Sequence, residues 1–380
     1  MKRHPDFDAS LITIAALLVL GLAWLPGGVG ELLSRLRVPA MSTRDADAVT
    51  AGYYEDLLDA TAVRGATPSG LIRSMTDRAE PPADWPRLHE TEGVVWDDDS
   101  YQRFTLRPGS TLDYKGAPLD INADGFRDRP FRERSDAGPR RIAIVGSSIT
   151  MGSGVPVELT YENLLEDSLL EEGHDVEILN LAIAGYRGTQ LLDVVLEWLE
   201  PLGVDGVLLV INDLTVNPRA MWHVANLVAE GRDLRYPFLE DVVARSGADS
   251  GMKPEAILDR LQPFSDEVNA WWLEAATARL REMDVPFALL VVPQPATVEP
   301  LRRRVASLHP VFEALDVPVV SLYRAYDRVR DQSTLWLRPW DRHPTAEGHE
   351  LLHEALLGAV RKRSDLRSVL LGEVTPDDQQ

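Results

Sequence analysis

The chain of 380 residues contains no cysteine. That excludes disulfide bonds, a thiolate nucleophile and any metal site ligated by cysteine sulfur. It leaves the compartment open, because an exported bacterial protein can also lack cysteine. Positive charge is scarce: 39 Lys and Arg stand against 60 Asp and Glu, a net charge of -21. A balance of that sign argues against nucleic acid as a partner. Charge of either sign is missing from residues 9–30, whose centre, residues 11–25, is almost entirely aliphatic. Such a run is long enough to span a bilayer with help from its flanks. Lys2 and Arg3 precede it, so the positive-inside rule keeps residues 1–8 cytoplasmic and sends the rest of the chain across. Trp24 suits the membrane interface. A cleaved signal peptide is the alternative, but the run is long for one and no clear small-x-small site directly follows it. A buried core helix is a third reading, disfavoured by the extreme N-terminal position. The expectation is a single-pass membrane anchor with the remaining chain extracytoplasmic.

What is present elsewhere is an ordinary globular composition, 44% hydrophobic. The stretch that organises it is residues 141–155, RIAIVGSSITMGSGV. Ile142, Ala143, Ile144 and Val145 form a short apolar run closed by Gly146, which reads as a buried strand. Ser147 and Ser148 follow, then a turn with Gly152 and Gly154, and a helical segment starting near Glu158. A serine at the C-terminal tip of a parallel strand lies where open α/β sheets keep their active sites. Taken alone, Gly-Ser-Ser reads more readily as a plain strand-to-helix loop.

Residues 31–95 read as a helical segment followed by a linker interrupted by Pro68, Pro81, Pro82 and Pro86. Asp97, Asp98 and Asp99 read as a solvated turn rather than a metal site. Residues 96–139 read as an extended lead-in, with turns at Pro108-Gly109 and Lys115-Gly116 and a turn-rich end over residues 122–128. There Arg127 is a candidate carboxylate anchor, although docking of the segment is the simpler role. From residue 140 strands and helices alternate. Strands are expected at 176–181, 206–211, 287–292 and 317–321, and helices at 190–199, 268–283 and 301–315. Such alternation specifies a parallel sheet covered on both faces. Residues 214–264 break the rhythm and read as an insertion after the third strand, in the position of a lid. The main domain is thus expected over 140–363, and residues 364–380 as a frayed polar tail.

On that sheet Ser148, Gly185 and Asn212 follow the first, second and third strands, and Asp341 and His343 lie in a loop after the fifth. A serine hydroxyl needs a base to take its proton. His343 is a candidate for that base, with Asp341 to orient the imidazole and stabilise its cation. The backbone N–H groups of Ser148 and Gly185 and the side-chain amide of Asn212 are candidate donors to an oxyanion. Asp213 reads as a turn residue and His349 as structural.

Four blocks carry a family resemblance: Gly146-Ser147-Ser148, Asn180 with Gly185, Asn212-Asp213, and Asp341-Arg342-His343-Pro344. In this order the chain resembles the SGNH (GDSL-type) hydrolases over about residues 140–360. The resemblance implies a flavodoxin-like three-layer α/β/α sandwich with five parallel strands in the order 2-1-3-4-5. It implies Ser148 as nucleophile, His343 as base, Asp341 as its partner, and Gly185 and Asn212 completing the oxyanion hole. It implies no metal or organic cofactor, and an acylated small-molecule or polysaccharide substrate. Residues 122–128 look like a lead-in found before this domain in membrane-attached members. Two departures stand out. Ser147 replaces the usual Asp of Gly-Asp-Ser, a change expected to alter loop packing more than chemistry. Asp-x-His replaces Asp-x-x-His, a spacing similar to that of alginate-type O-acetyltransferases. The expected activity is a serine esterase working through an acyl-enzyme on an envelope sugar ester. The alternatives are an O-acetyltransferase with the same triad, or a non-catalytic envelope binding protein.

Overall fold

The computed structural model describes residues 81–135 and 137–373. The described chain opens with two antiparallel ribbons. β1 (Val94–Trp96) pairs with β2 (Phe104–Leu106), and β3 (Thr111–Tyr114) pairs with β4 (Ala117–Asp120). The turn joining β3 to β4 is two residues, Lys115 and Gly116, with φ of 57° and 86°. Two left-handed residues in succession match the right-handed twist of the flanking strands. Glycine takes that conformation freely, whereas a lysine there costs about 1–2 kcal/mol.

Five further strands, β5 (Arg140–Val145), β6 (Val176–Asn180), β7 (Gly206–Ile211), β8 (Phe287–Val291) and β9 (Val319–Ser321), form one parallel sheet in the order β6-β5-β7-β8-β9. Counted along the sheet alone this is the expected order 2-1-3-4-5, the flavodoxin-like arrangement. The strands read as unbroken apolar runs because both faces are covered. The pleat still divides them. Ile142 and Ile144 face one core with Leu165 and Leu169 of the helix Tyr161–Glu171 and Leu352 and Leu356 of the helix Ala346–Lys362. Ala143 and Val145 face the other with Leu191 and Val195 of the helix Gly188–Glu197 and Trp272 and Ala276 of the helix Ser265–Glu282. Three layers follow from a period-2 strand between two amphipathic helix pairs.

Several boundaries differ from the sequence reading. The helix expected over 301–315 is two, Val298–Ser307 and His309–Leu315, with Pro310 in the first turn of the second. Proline has no N–H to donate, so it is tolerated only where a helix begins. The ordered lead-in starts ahead of residue 96, with a short turn of helix at Leu88–Glu90 and then β1. The polar tail expected from residue 364 is corrected over its first eight positions. Ser364–Leu371 is a helix that buries Leu366, Val369 and Leu370 in the sheet core. Their i, i+3, i+4 spacing is an apolar helical stripe too short to stand out beside the polar residues that follow it. The insertion, expected over 214–264, contains the helices Trp222–Ala229, Pro237–Ser246 and Pro254–Leu261. It is tied to the lead-in where His223 Nε2 meets the carbonyl of Tyr101 at 2.7 Å, and to the sheet domain where Tyr236 donates to Asp193 at 2.7 Å. The expected anchor, residues 9–30, and the segments 1–8 and 31–80 lie outside the described residues. Among the described residues no helix is long and apolar enough to cross a membrane.

Candidate active site

Because the five strands run parallel, everything that follows their C-terminal ends gathers at one edge. After β5, Ser147 caps a single helical turn, Ser148–Met151, closed by Gly152 at φ 74°. Ser148 is the first residue of that turn, so its N–H has no acceptor within the helix. Its side of the turn reaches the surface, and the residue retains 9% of its exposure. Ser147 has none, and its hydroxyl turns inward to accept a hydrogen bond from Asn212 Nδ2 at 3.0 Å. Ser147 therefore does more than pack the loop: it holds the amide of another site residue.

Asn212 follows β7 and is buried. Its Oδ1 accepts from the N–H of Thr215 at 3.1 Å, which fixes the amide plane and leaves Nδ2 pointing toward the serine loop. One Nδ2 hydrogen is used by Ser147. Asp213 beside it accepts from Arg304 at 2.8 Å and from Asn217 at 3.2 Å, the turn-holding role expected of it. Gly185 follows β6 at φ 93°, with open space where a Cβ would stand. Its N–H takes no backbone acceptor among the described residues. The neighbouring Ala184 N–H contacts Met151 Sδ at 3.3 Å, so the Gly185 loop and the serine turn touch.

Asp341 and His343 lie on β11 (Asp341–Pro344), which pairs antiparallel with β10 (Trp336–Arg338) in a hairpin after β9. β11 packs against the Ser148–Met151 turn. The short Asp-x-His spacing works because one carboxylate oxygen serves twice. Asp341 Oδ1 accepts the backbone N–H of His343 at 3.1 Å and meets the ring Nδ1 at 2.5 Å. With its proton on Nδ1, the neutral imidazole carries its basic lone pair on Nε2. That atom is buried and has no hydrogen-bond partner among the described residues. Residue by residue, then, the structure brings Ser148, Gly185, Asn212, Asp341 and His343 to the same edge.

Sequence reasoning missed the groups behind Asp341. Its second oxygen, Oδ2, accepts from Trp85 Nε1 at 3.0 Å and is 2.7 Å from Lys115 Nζ. Burial by itself would raise the Asp341 carboxyl, but the Lys115 ammonium and the His343 ring beside it hold it well below the ordinary carboxylate range. The lysine is held charged by the same contact: burial opposes its charge, while Tyr114 and Asp341 raise its pKa. The one signal for Lys115 in the sequence was a lysine beside glycine in a turn, where only a structure shows that the side chain points inward.

Among the described residues Arg127 hydrogen-bonds backbone carbonyls rather than a carboxylate. It donates to the carbonyl of Met151 at 2.8 Å and to that of Val155, clamping the lead-in onto the serine loop. Next to it, Asp128 Oδ2 accepts the N–H of Asn180 at 2.7 Å, and Asn180 Nδ2 donates to Glu162 at 2.5 Å. Burial pushes both Asp128 and Glu162 up to about 7. His349 is fully buried, accepts the Tyr161 N–H at 3.2 Å and is pushed down to about 3 by burial, so it is a neutral structural ring. Among the described residues no group of three or more His, Asp or Glu side chains is arranged to hold a metal ion.

The fold and site together define an α/β protein with a Ser, His and Asp at the C-terminal edge of a doubly wound sheet. No family model matches the sequence, and no curated protein matches it. Solved structures do. The chain is similar to TesA, at 14% identity and a TM-score of 0.39 over 58% of this chain and 98% of that one. It is similar to the psychrotrophic esterase EstA from Pseudoalteromonas sp., at 16% identity and a TM-score of 0.39 over 59% and 97%. It is also similar to the acetyl xylan esterase AlAXEase, at 15% identity and a TM-score of 0.39 over 58% and 99%. At such distances what this chain does must be read from its own side chains.

Proposed function

We propose that the chain is a serine esterase of SGNH type that works through an acyl-enzyme. The observation that carries this reading is His343: its Nδ1 is committed to Asp341, and its Nε2 is left bare on a strand packed against the Ser148 turn. In the proposed reaction Ser148 Oγ attacks the ester carbonyl carbon while His343 Nε2 takes the hydroxyl proton. The resulting imidazolium is stabilised by Asp341. The carbonyl oxygen, now negative, is received by the N–H groups of Ser148 and Gly185 and by the second Nδ2 hydrogen of Asn212. Collapse expels the alkoxide, which leaves with the proton from His343. Water, deprotonated by the same nitrogen, then attacks the acyl carbon; the acyl-Ser148 bond breaks, His343 returns the proton to Ser148 Oγ, and the acid is released.

The substrate we propose is an acetyl ester on a cell-envelope sugar. Support comes from the uncharged run at residues 9–30, which would hold the enzyme at the outer face of a membrane beside such glycans. The test uses the detergent-solubilised full chain with p-nitrophenyl acetate and with acetylated oligosaccharides. Free acetate from the wild type and none from Ser148→Ala is the expected result. Acetyl groups recovered on an added acceptor sugar would make the protein an O-acetyltransferase using the same triad. Absence of both turnover and labelling of Ser148 by a fluorophosphonate would remove the catalytic reading and leave a binding protein.

A further inference from the structure

The Asp341 carboxylate divides its two oxygens between two parts of the chain. Oδ1 faces His343 from within β11, and Oδ2 faces the lead-in, where it meets Trp85 Nε1 and Lys115 Nζ. Both members of the Lys115–Asp341 pair are buried, with side-chain exposures of 3% and 2%. The lysine stands in a left-handed turn position that glycine or asparagine fills at lower cost. Its ammonium lies 5.5 Å from the centre of the Tyr114 ring, and a Cβ on Gly154 would come within 3.2 Å of Lys115 Cβ. The hairpin tip is therefore wedged against the loop that follows Ser148. A strained turn with its charged side chain sunk beside the proposed base calls for a reason beyond hairpin formation.

Resting on the reading of His343 as the base, we propose that Lys115 is a positioning residue for the reaction, acting through Asp341 to set the orientation and basicity of His343. Charge counting shows what it does. With Lys115 present, the resting group Lys–Asp–His is neutral, and proton transfer from Ser148 makes it a cation facing the oxyanion. Without Lys115 the same group is an anion at rest and only neutral opposite the oxyanion. The lysine therefore offsets, at the imidazole, the field of the Asp341 carboxylate. It also adds a positive field where negative charge develops. Trp85 supplies a second, uncharged donor that fixes Oδ2 in place.

The other groups facing His343 do not duplicate this charge. Tyr114 is neutral, its hydroxyl pushed up by burial, and His349 on the following helix is neutral as well. Arg342 on the same strand lies over the Trp336 ring at 4.9 Å. Of these, Tyr114 also touches Lys115; loss of the lysine removes an interaction that lowers the Tyr114 pKa, so that hydroxyl stays neutral.

The experiment follows the His343 ring by ¹⁵N NMR in the full chain across pH, with its signal assigned by its loss in His343→Gln. In Lys115→Met the titration curve of His343 is expected to move to higher pH. The acid limb of kcat/KM then moves with it, a loss at pH values below the limb. Lys115→Arg should restore the wild-type midpoint. Lys115→Gln keeps a hydrogen-bond donor without charge and serves if Lys115→Met fails to fold; its midpoint should also rise. An unchanged His343 midpoint in a folded Lys115→Met or Lys115→Gln chain overturns the proposal. The titration needs no substrate, so it stands apart from the esterase reading: ester turnover with an unmoved midpoint sinks the role of Lys115 alone.

Discussion

In the proposed reaction Ser148 and His343 share one event, the passage of a proton from Oγ to Nε2, so their losses should not add. Ser148→Ala and His343→Ala are each expected to bring kcat on p-nitrophenyl acetate near background, with the double variant little lower. A double variant far worse than either would show that the two do not act as one unit. Asn212→Ala is expected to lower kcat by ~10²–10³, the scale of one lost oxyanion donor. Ser147→Ala should fall between that and wild type, because it frees the Asn212 amide without removing it. If Ser147→Ala abolishes turnover while Ser148→Ala does not, the nucleophile is Ser147. Asp128 and Glu162 make a different residue-scale prediction, on stability. Burial pushes Asp128 from 3.8 and Glu162 from 4.5 up to about 7, so the folded state holds their protons more tightly than the unfolded chain. Their contribution is complete below those lower values and is lost as pH rises through 7, at up to about 1.4 kcal/mol per pH unit for each group. Asp341 runs the other way: its depressed value stabilises the fold above 3.8 and that contribution is lost as pH falls toward its folded value. Asp128→Asn should therefore flatten the fall in Tm between pH 5 and 7. An unaltered slope would mean that Asp128 is ionised in the fold throughout that range.

At the scale of elements, the short helix Ser364–Leu371 closes one face of the sheet. Its backbone comes so near β7 that a Cβ on Gly206 would lie 2.5 Å from the Val369 carbonyl oxygen. That oxygen also accepts from Arg140 Nη2 at 3.0 Å. Truncation after Arg363 should thus expose the sheet core and reduce soluble yield. Leu366→Ala, at a fully buried position, is expected to cost about 2–5 kcal/mol in chemical denaturation. A cost under about 0.5 kcal/mol, the size of an ordinary surface substitution, would mean that this helix is not part of the core. The lead-in is an element of the same kind. Its ribbons are too short to be stable alone. They persist because Arg127 clamps the serine loop and Lys115 and Trp85 reach Asp341.

Over the whole molecule, the proposed site of the chemistry rests on the uncharged run at residues 9–30. The proposal is that it remains on the mature protein and holds the enzyme at the membrane. The expected result is that the full chain stays with the membrane after carbonate washing and that its mature N-terminus lies ahead of residue 9. A mature N-terminus beyond residue 30 would replace the anchor with a signal peptide and leave the catalytic reading untouched.

Much of the fold was legible because it is written in local pattern. Apolar runs such as Ile142–Val145 and Gly206–Ile211 must be strands covered on both faces, and strands alternating with amphipathic helices must form a parallel sheet. The positions of Ser148, Gly185, Asn212 and His343 followed, since each comes directly after a strand or in the last loop and parallel strands share one C-terminal edge. Side-chain partners are not written that way. Trp85 and Asp341 are 256 residues apart and meet only because the lead-in folds back over the site. Lys115 looked like a turn residue, and whether its ammonium faces water or a buried carboxylate depends on what packs against the hairpin. The inward turn of Ser147 onto Asn212 likewise needs β5 and β7 to be neighbours. Sequence by itself determined the layers and the edge, because hydrophobic periodicity is local. Only the tertiary structure decided which charges stand beside Asp341 and His343, because a buried ion pair is set by contacts between segments that no period connects.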